Sequence, residues 1–350
     1  MGLASLSLTD LRSIAQAQLE FGPHLNLIHG ANGSGKTSIL EGAFLAGRGR
    51  SFRTRHTDQL ISRGHASLRL FAETAGPPHR IGFEYRRNDA YTARLDGRDL
   101  QGLAELPTAF FVEAIDPQIH RLLEGPPVER RRWLDWGVFH VEPTFLTQWQ
   151  RFSRALRQRN AALKTGEDPR IWDGELAVSG EQIAVHRSQW FETVKPHLNE
   201  TIHFLAGLDV QVTYYRGWAV DRSLHEALSE GLERDRHRGA TLLGPQRADI
   251  HMRIGERSAR ESLSRGQQKL VASAMVLALL ARLREQQLPP PTLLLDDPAA
   301  ELDVERLGRL VDLVSQLGCQ LIVTSLNADQ CVFGRPEHVF HVEQGSVQRL

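Results

Sequence analysis

Eight consecutive residues carry the strongest sign of chemistry in this chain, because they combine three glycines with a lysine and a threonine. The stretch is Gly30-Ala31-Asn32-Gly33-Ser34-Gly35-Lys36-Thr37, which fits the pattern G-x-x-x-x-G-K-[ST]. Glycines let the backbone curl so that successive N–H groups face phosphate oxygens. We expect Lys36 to reach the terminal phosphates of a nucleotide, Thr37 to bind Mg²⁺ and Ser38 to extend the site into the following helix.

Lysine usage supports a phosphate role for this loop. The chain contains 42 lysines and arginines, and only four of them are lysines. These are Lys36, Lys164, Lys195 and Lys269. A compact ammonium on a flexible stem fits a phosphate cradle better than a wide guanidinium. In the empty site, we expect the Lys36 side chain to face solvent and to pack against nothing.

The loop lies between an apolar segment at residues 25–29 and a helical pattern at 38–45, which is the strand-loop-helix context that the motif needs. The rest of the chain reads as strands at both ends and helices across residues 119–205. All six tryptophans fall within 119–235, which favours a separate helical lobe. The other predicted strands are residues 3–8, 16–21, 68–73, 80–86, 91–95, 110–112, 210–215, 241–243, 320–324, 339–342 and 347–350.

A second carboxylate-bearing segment follows far downstream of the loop. Residues 292–295 are an apolar strand pattern that ends in Asp296 and Asp297. This is the Walker B pattern, in which Asp296 binds Mg²⁺ and Asp297 orients the attacking water. The alternative is that the two carboxylates only cap the following helix.

A serine-led segment opens a long apolar helix before this strand. It consists of Ser264, Arg265, Gly266 and Gln267, and it begins 32 residues before Asp296. A serine hydroxyl and free N–H groups at a helix start form an anion site. The tetrapeptide resembles the signature motif of ABC-type ATPases, although serine is also a routine helix cap.

Composition limits the remaining possibilities. A length of 350 residues predicts one large domain or two, and the formal net charge is zero. Any nucleic-acid contact must therefore come from local patches. Two cysteines give no disulfide framework, the N-terminus lacks a signal-peptide pattern, and the longest apolar run, residues 270–283, is too short to cross a bilayer. We expect a cytoplasmic protein without a membrane partner.

Local excesses of arginine mark candidate DNA contacts. Residues 42–57 contain no acid, and residues 119–160 carry eight arginines against four acids. Such runs indicate phosphate contacts or, as the simpler alternative, solvated surface. The candidates are Arg53, Arg55, Arg130, Arg131, Arg151, Arg154 and Arg157.

Taken together, these motifs resemble the RecF family of bacterial recombinational-repair ATPases, which are related to SMC heads. The resemblance covers nearly the whole chain. It rests on residues 30–41, 50–53, 125–127, 130–131, 134–137, 139–143, 157–160, 244–245, 264–269, 296–297 and 301–303.

The resemblance implies an α/β fold: an ABC-type P-loop ATPase head, residues 1–118 and 236–350, with a mostly helical arm at 119–235. It implies a slow, DNA-stimulated ATPase that acts as a switch and uses ATP and Mg²⁺. ATP is expected to join two copies into a homodimer, with Ser264 of one copy completing the site around Lys36 of the other. It also implies binding to DNA at gaps or single/double-strand junctions, and loading of RecA together with RecR and RecO.

Several positions depart from related patterns and keep two alternatives open. Gln246 stands where family members usually have histidine, and Ser325 stands where ABC transporters have the switch histidine. Asp297 replaces the glutamate of transporters, and Gln118 is a weak match to a glutamine loop. One alternative is an ABC-transporter ATPase subunit, but this chain lacks the Ser-Gly-Gly-Gln signature, the glutamate after the Walker B aspartate and the switch histidine of such subunits. The other alternative is an SMC-like structural ATPase, for which residues 119–235 are too few to form long coiled arms.

Overall fold

The computed structural model describes residues 2–89, 91–100, 102–286, 288 and 291–350. Its strands are β1 Gly2–Leu11, β2 Ile14–Glu20, β3 Leu25–His29, β4 Ser67–Ala75, β5 Arg80–Arg86, β6 Tyr91–Leu95, β7 Arg98–Asp99, β8 Val112–Ile115, β9 Gln211–Tyr215, β10 Asp249–Ile254, β11 Arg257–Ser258, β12 Thr292–Leu295, β13 Gln320–Ser325, β14 His338–Glu343 and β15 Ser346–Arg349. Its helices are α1 Lys36–Arg48, α2 Leu106–Ala109, α3 Arg121–Glu124, α4 Pro127–Val141, α5 Phe145–Thr165, α6 Asp173–Ala206, α7 Leu224–Glu230, α8 Leu232–Arg238, α9 Ala259–Ser262, α10 Arg265–Glu285, α11 Pro298–Glu301 and α12 Val304–Leu317.

The chain divides into two compact units. Unit 1 contains residues 1–119 and 287–350, and unit 2 contains His120–Gln286. Residues 236–286 thus pack with the helices, whereas the sequence assigned them to the head, because the long apolar helix α10 packs against α6. The functional division into a head and an arm with boundaries at 118 and 235 stays a prediction.

Unit 1 contains the mainly parallel sheet that positions the loop. Its strand order is β15-β14-β3-β13-β12-β8, and β3, β13, β12 and β8 run parallel to one another. The sequence of β12, Thr292–Leu295, is buried at all four positions, as expected for a strand covered on both faces. The carboxyl ends of β3, β12 and β13 meet at one edge, where ligands bind in open α/β sheets.

A second sheet in unit 1 is antiparallel, with the order β2-β1-β4-β5-β6-β7. Its strands alternate buried and exposed residues, as in β4, where Leu68, Leu70 and Ala72 are buried. The buried side chains of this antiparallel sheet, of α1 and of the parallel sheet form one apolar cluster. The predicted strands at 3–8, 16–21, 68–73, 80–86 and 91–95 are confirmed, and the β1–β2 hairpin ends in a turn beside the loop.

Unit 2 combines long helices with the three-stranded sheet β11-β10-β9. Helix α6 spans 34 residues and packs against α5 and α10. Trp133, Trp190 and Trp218 are buried here, and the Trp133 indole donates a hydrogen bond to the Met275 carbonyl oxygen at 2.9 Å. Trp149, in contrast, is 44% exposed, so the tryptophans only partly form the predicted core.

The predicted strand at residues 241–243 is wrong, because side chains take its backbone donors. The N–H and hydroxyl of Thr241 both donate to the Asn160 Oδ1 atom at 2.8 Å. The N–H of Leu242 donates to Asp235. Asp235 in turn binds the fully buried Arg159 at 2.6 Å, and Arg159 also binds Asp173 at 2.7 Å. A buried ionic cluster therefore shapes this segment as a loop.

None of the described helices is long and apolar enough to cross a membrane.

Candidate functional site

The loop after β3 adopts a conformation that only glycine accepts at two of its positions. Gly35 has a φ of +120°, and a Cβ atom there would lie 2.7 Å from the Ile14 side chain in the β1–β2 hairpin. Gly30 has a φ of +154°, and its Cβ would lie 2.2 Å from the Val342 carbonyl oxygen. No acceptor among the described residues binds the backbone N–H groups of Lys36 and Thr37. These two donors at the start of α1 suit an anion.

Lys36 does not face solvent, so the expectation of an unpacked side chain is wrong. It is 7% exposed, and its Nζ atom donates to the carbonyl oxygens of Gly30 and Ala31 at 2.6 and 3.0 Å. Burial lowers the pKa of this ammonium, and the nearby Asp297 and Asp296 oppose that shift. The side chain folds back over its own loop, because the loop carbonyls replace the phosphate oxygens as acceptors.

Thr37 and Asp296 meet, although 259 residues separate them. The Thr37 hydroxyl lies 3.0 and 2.9 Å from the two carboxylate oxygens of Asp296. Thr324, at the end of β13, donates to the same carboxylate at 2.7 Å and fixes its orientation. A hydroxyl and a carboxylate placed together are oxygen ligands of the kind that Mg²⁺ prefers, so these residues fit the ion.

Asp297 follows Asp296 in a left-handed backbone conformation, with a φ of +49°. Its N–H donates to the Thr324 hydroxyl at 2.8 Å, so Thr324 binds both aspartates. The Asp297 residue lines the cavity in front of the loop, as do Lys36, Thr37 and Asp296. The structure brings these four residues to one cavity, and the roles assigned to them from the sequence stay predictions.

Two further positions predicted from neighbouring patterns border the same region. Pro117, in the segment after β8, lines the cavity, and the Oε1 atom of the next residue, Gln118, is buried without a partner. Ser325 ends β13 next to β3, but its hydroxyl donates to the Asn327 carbonyl oxygen at 2.9 Å. The Gln118 side-chain oxygen therefore has no donor among the described residues, while the Ser325 hydroxyl is already engaged.

The cavity has a volume of about 850 Å³ and extends from the loop to residues that the sequence did not indicate. Arg12, in the β1–β2 turn, binds the Glu41 carboxylate at 2.8 and 2.9 Å, and Glu41 is fully buried in α1. Ser51 also donates to Glu41, and Arg53 lies 3.8 Å from it. Arg12 and Arg53 both line the cavity, so Glu41 anchors two cations that face it.

The signature residues lie in unit 2, at the start of α10. The Ser264 hydroxyl accepts from the Gln267 N–H at 3.3 Å, and the Gln267 side chain accepts from the Ser264 N–H at 3.0 Å. This reciprocal pair is a capping box. Ser264, Arg265 and Gly266 are exposed, so the predicted anion site lies on the surface.

The candidate DNA arginines have different surroundings. Arg130 is 7% exposed and binds Asp249 at 2.7 and 3.0 Å and the Leu123 carbonyl oxygen at 2.8 Å. Arg131 is half-buried and donates to the Ala248 carbonyl oxygen at 2.7 Å, and burial lowers its pKa. Because Arg130 is buried and its donors are taken, it is a structural residue, and we drop it as a DNA contact.

The other candidates are exposed. Arg151 binds Glu175 at 2.7 and 2.9 Å, which reduces its pull on an anion. Arg154 and Arg157 lie on the same helix, α5, and no acid of the described chain pairs with them. Arg53 lines the nucleotide cavity, whereas Arg55 is exposed near it. The helix face at Arg154 and Arg157 stays a predicted DNA contact.

Sequence reasoning missed Arg12, Glu41 and Thr324 as parts of the site. Arg12 and Glu41 are 29 residues apart, and Thr324 lies 28 residues beyond Asp296. No short motif joins these residues, because a hairpin turn and a neighbouring strand bring them to the loop. Only the pairing of β12 with β13, which the strand pattern suggests, carries a signal for Thr324.

Comparison with known proteins identifies the family. Residues 2–347 match the family described as RecF/RecN/SMC N terminal domain. The chain is 39% identical, over 100% of its length and 98% of the relative, to a Pseudomonas aeruginosa (strain LESB58) protein named "DNA replication and repair protein RecF". A structure titled "Structure of the recombination mediator protein RecF-ATP in RecFOR pathway" matches with a TM-score of 0.89 and 25% identity, covering 100% of this chain and 97% of the other.

An Smc head, solved bound to the C-winged helix domain of ScpA, shares the fold, with a TM-score of 0.60 and 16% identity over 100% of this chain and 97% of the other. The predicted α/β P-loop head fold is confirmed by these matches. The full-length identity to named relatives, together with the Thr37–Asp296 pair, establishes that the chain belongs to the RecF family.

Proposed function

We propose that this chain is a slow, DNA-stimulated ATPase that dimerises on ATP and acts in recombinational DNA repair. The observation that carries the proposal is the contact of Thr37 with Asp296 at 2.9 and 3.0 Å. It lies beside a loop whose Lys36 and Thr37 N–H groups bind no acceptor among the residues that the structure describes. The P-loop ATPase family to which the chain belongs supports ATP hydrolysis. The similar structure described as RecF-ATP supports the choice of nucleotide.

Each site residue has a distinct task in this proposal. Thr37 and Asp296 hold Mg²⁺, which neutralises phosphate charge when bound. Lys36 exchanges the Gly30 and Ala31 carbonyls for phosphate oxygens. Asp297 orients the attacking water, and its carboxylate is one methylene shorter than the glutamate of transporters, which suits slow hydrolysis and a switch.

The homodimer follows from two incomplete anion sites. The loop supplies one, and the exposed start of α10 at Ser264 supplies the other. We infer that Ser264, Arg265, Gly266 and Gln267 of one copy complete the phosphate site around Lys36 of its partner. Two-fold symmetry then buries two ATP molecules. ATP joins the copies because it binds the closed dimer better than the separate ones.

The cellular role is transferred from relatives. Those relatives are named for DNA replication and repair, and one is placed in the RecFOR pathway. We therefore propose DNA with gaps or single/double-strand junctions as the ligand, RecR with RecO as partners, loading of RecA as the outcome, and the cytoplasm as the location.

The experiment is sedimentation of the purified chain with and without ATP and gapped DNA, combined with ATPase assays. We expect ATP-dependent dimers and hydrolysis that rises with DNA but not with lipid vesicles. A monomer under all conditions, or stimulation by vesicles alone, contradicts the proposal.

A further inference from the structure

The three-stranded sheet of unit 2 presents an exposed face that the proposed nucleotide site does not use. Its strands alternate, so that Val212, Ile250 and Met252 are buried. The intervening residues point to the opposite face. Those on β9 are Gln211, Thr213 and Tyr215, and those on β10 include His251 and Arg253. Register places Thr213 opposite His251 and Gln211 opposite Arg253.

A cavity of about 430 Å³ lies at this face, and its charged lining is mainly cationic. Arg130, Arg253 and Arg260 line it together with one acid, Asp249, which gives three positive charges against one negative, or +2. Arg130 already neutralises Asp249 through two hydrogen bonds of 2.7 and 3.0 Å. The remaining positive charge therefore belongs to Arg253 and Arg260, which are both exposed.

These two arginines are available to an anion in different degrees. Arg253 donates to the Glu256 carbonyl oxygen of the β10–β11 turn, which orients the guanidinium and leaves its other donors for a ligand. Arg260 pairs with no carboxylate of the described chain. The hydroxyl-bearing residues Thr213 and Ser258 also line the cavity. Arginines with neighbouring hydroxyls are typical contacts of DNA phosphates.

An aromatic pair lies on the same face. The rings of Tyr215 and His251 are nearly parallel, with an interplanar angle of 14° and centroids 6.1 Å apart. Tyr215 is 40% exposed, so part of its ring surface is accessible to a ligand beside its contact with His251. An exposed flat ring beside cationic groups is the arrangement on which unpaired bases stack.

We propose that this face, formed by Tyr215, His251, Arg253 and Arg260, binds a single strand of DNA. The arginines contact phosphates, and the Tyr215–His251 pair stacks on a base. An unpaired strand fits better than a duplex because the face of a base is accessible only when the base is unstacked. The inference rests on the proposed DNA-binding function. It assigns that function to a surface whose residues are not among the arginine-rich segments identified in the sequence.

The surface is joined directly to the signature helix. The Arg260 carbonyl oxygen, in the short helix α9, accepts from the Gln268 side chain at 2.9 Å, and the Leu263 carbonyl oxygen accepts from the same amide at 3.2 Å. Gln268 lies in the first turn of α10, four residues after the Ser264 cap. A DNA strand bound by Arg260 therefore contacts a residue that is hydrogen-bonded to α10. The start of α10 is the segment proposed to contact ATP, so this bond could transmit DNA binding to the ATPase site.

The test compares DNA binding of the full chain with ATP across a salt series, with fluorescein-labelled single-stranded and duplex oligonucleotides. The double variant Arg253→Gln/Arg260→Gln is expected to lose about 1.4 units of salt slope on the single strand, at about 0.7 per phosphate contact. The matched control is Arg222→Gln/Arg236→Gln, because these exposed arginines of unit 2 pair with Glu230 and Glu233. The control is expected to keep the parent slope, and so is Arg253→Lys/Arg260→Lys.

A second variant tests the aromatic part. Tyr215→Leu keeps an apolar side chain at an exposed position, and it is expected to weaken single-strand binding about tenfold while leaving duplex binding unchanged. Circular dichroism checks that each variant folds. Equal losses for single strand and duplex overturn the single-strand assignment.

The two levels of the proposal fail separately. If the parent binds no DNA of either kind, the proposed function is wrong. If the parent binds a single strand and both the double variant and Tyr215→Leu match it in slope and affinity, this surface is not the contact.

Discussion

The Glu41 carboxylate accepts two hydrogen bonds from the Arg12 guanidinium, at 2.8 and 2.9 Å, inside a fully buried pocket of α1. This bidentate pair connects the nucleotide-loop helix to the β1–β2 turn. It also places a cation at the wall of the cavity without leaving its charge uncompensated. Arg53 approaches the same carboxylate at 3.8 Å, so one buried acid positions two arginines.

We predict that Glu41→Gln weakens nucleotide binding about tenfold while keeping the fold. The neutral amide cannot accept both Arg12 donors, so Arg12 and Arg53 lose their common anchor. The stability cost is about 2 kcal/mol, in the range for a hydrogen bond to a charged group. Binding of a fluorescent ATP analogue and urea unfolding measure the two effects. The exposed Glu20→Gln is the matched control, and equal ATP affinity in both variants contradicts the positioning role.

Lys36→Met is predicted to abolish ATP binding with little change in stability. The variant loses two hydrogen bonds to loop carbonyls, but it also removes a buried ammonium, so the net change is about 1 kcal/mol or less. Calorimetric titration with ATP and urea unfolding measure these quantities. Lys164→Met, at an exposed position of α5, is the control. An ATP affinity like that of the parent is incompatible with the phosphate role of Lys36.

Substitutions at the two sides of the proposed dimer site are predicted to have opposite effects. Ser264→Arg brings bulk and charge to the joint, so it spares ATP binding and abolishes ATP-dependent dimers. Asp297→Asn removes the carboxylate that orients water, and asparagine tolerates the left-handed backbone at +49°, so ATP-bound dimers accumulate. Sedimentation velocity with ATP distinguishes the two variants.

Ser264→Arg also removes a helix cap, which costs about 1 kcal/mol. Ser264→Asp is the matched control, because aspartate keeps the cap and still repels an approaching phosphate. Dimers of Ser264→Asp and Ser264→Arg that form as in the parent contradict the shared site.

Arg159→Met is predicted to destabilise unit 2 by about 3–5 kcal/mol, because it leaves Asp173 and Asp235 buried without their cation. Urea unfolding measures the change. Arg157→Met lies on the same helix at an exposed position, and we expect a change within about 0.5 kcal/mol there. Similar losses in both variants are incompatible with the ionic cluster as a stability determinant.

His29 is predicted to make folding less stable at acid pH. Its burial lowers the pKa from the ordinary 6.5, and the nearby His341 and Lys36 lower it further, while Asp329 opposes the shift. The unfolded chain therefore binds this proton at higher pH than the folded chain does, so stability is lost as pH falls through 6.5. Urea unfolding at pH 7.5 and 5.5 is expected to show a smaller loss for His29→Gln than for the parent. His24→Gln, at an exposed position, is the control and behaves as the parent does.

The parts of the site that sequence predicted are those with local patterns. Each of these patterns fits within about a dozen residues. The glycine spacing identifies the loop, the apolar strand identifies Asp296, and the serine before an apolar helix identifies Ser264. Burial could not be found in this way. The sequence alone suggests that Arg130 is an exposed charge, yet it is buried and paired with Asp249, which lies 119 residues away in the chain. The sequence predicts a solvent-facing Lys36, but it does not reveal that the carbonyl oxygens of Gly30 and Ala31 accept hydrogen bonds from the Lys36 ammonium.

The strand order of the parallel sheet also restricts when the site can form during synthesis. Strand β3 carries the nucleotide loop, and within the described part of the chain its partners are β13 and β14, which leave the ribosome about 300 residues later. Residues His120–Gln286, in contrast, form a unit that is continuous in sequence. The nascent chain therefore completes its helical unit while the loop still lacks neighbouring strands, and long-range parallel pairing comes last. ATP consequently cannot assist early folding, and a chain that stops before residue 320 has the whole glycine motif but no site.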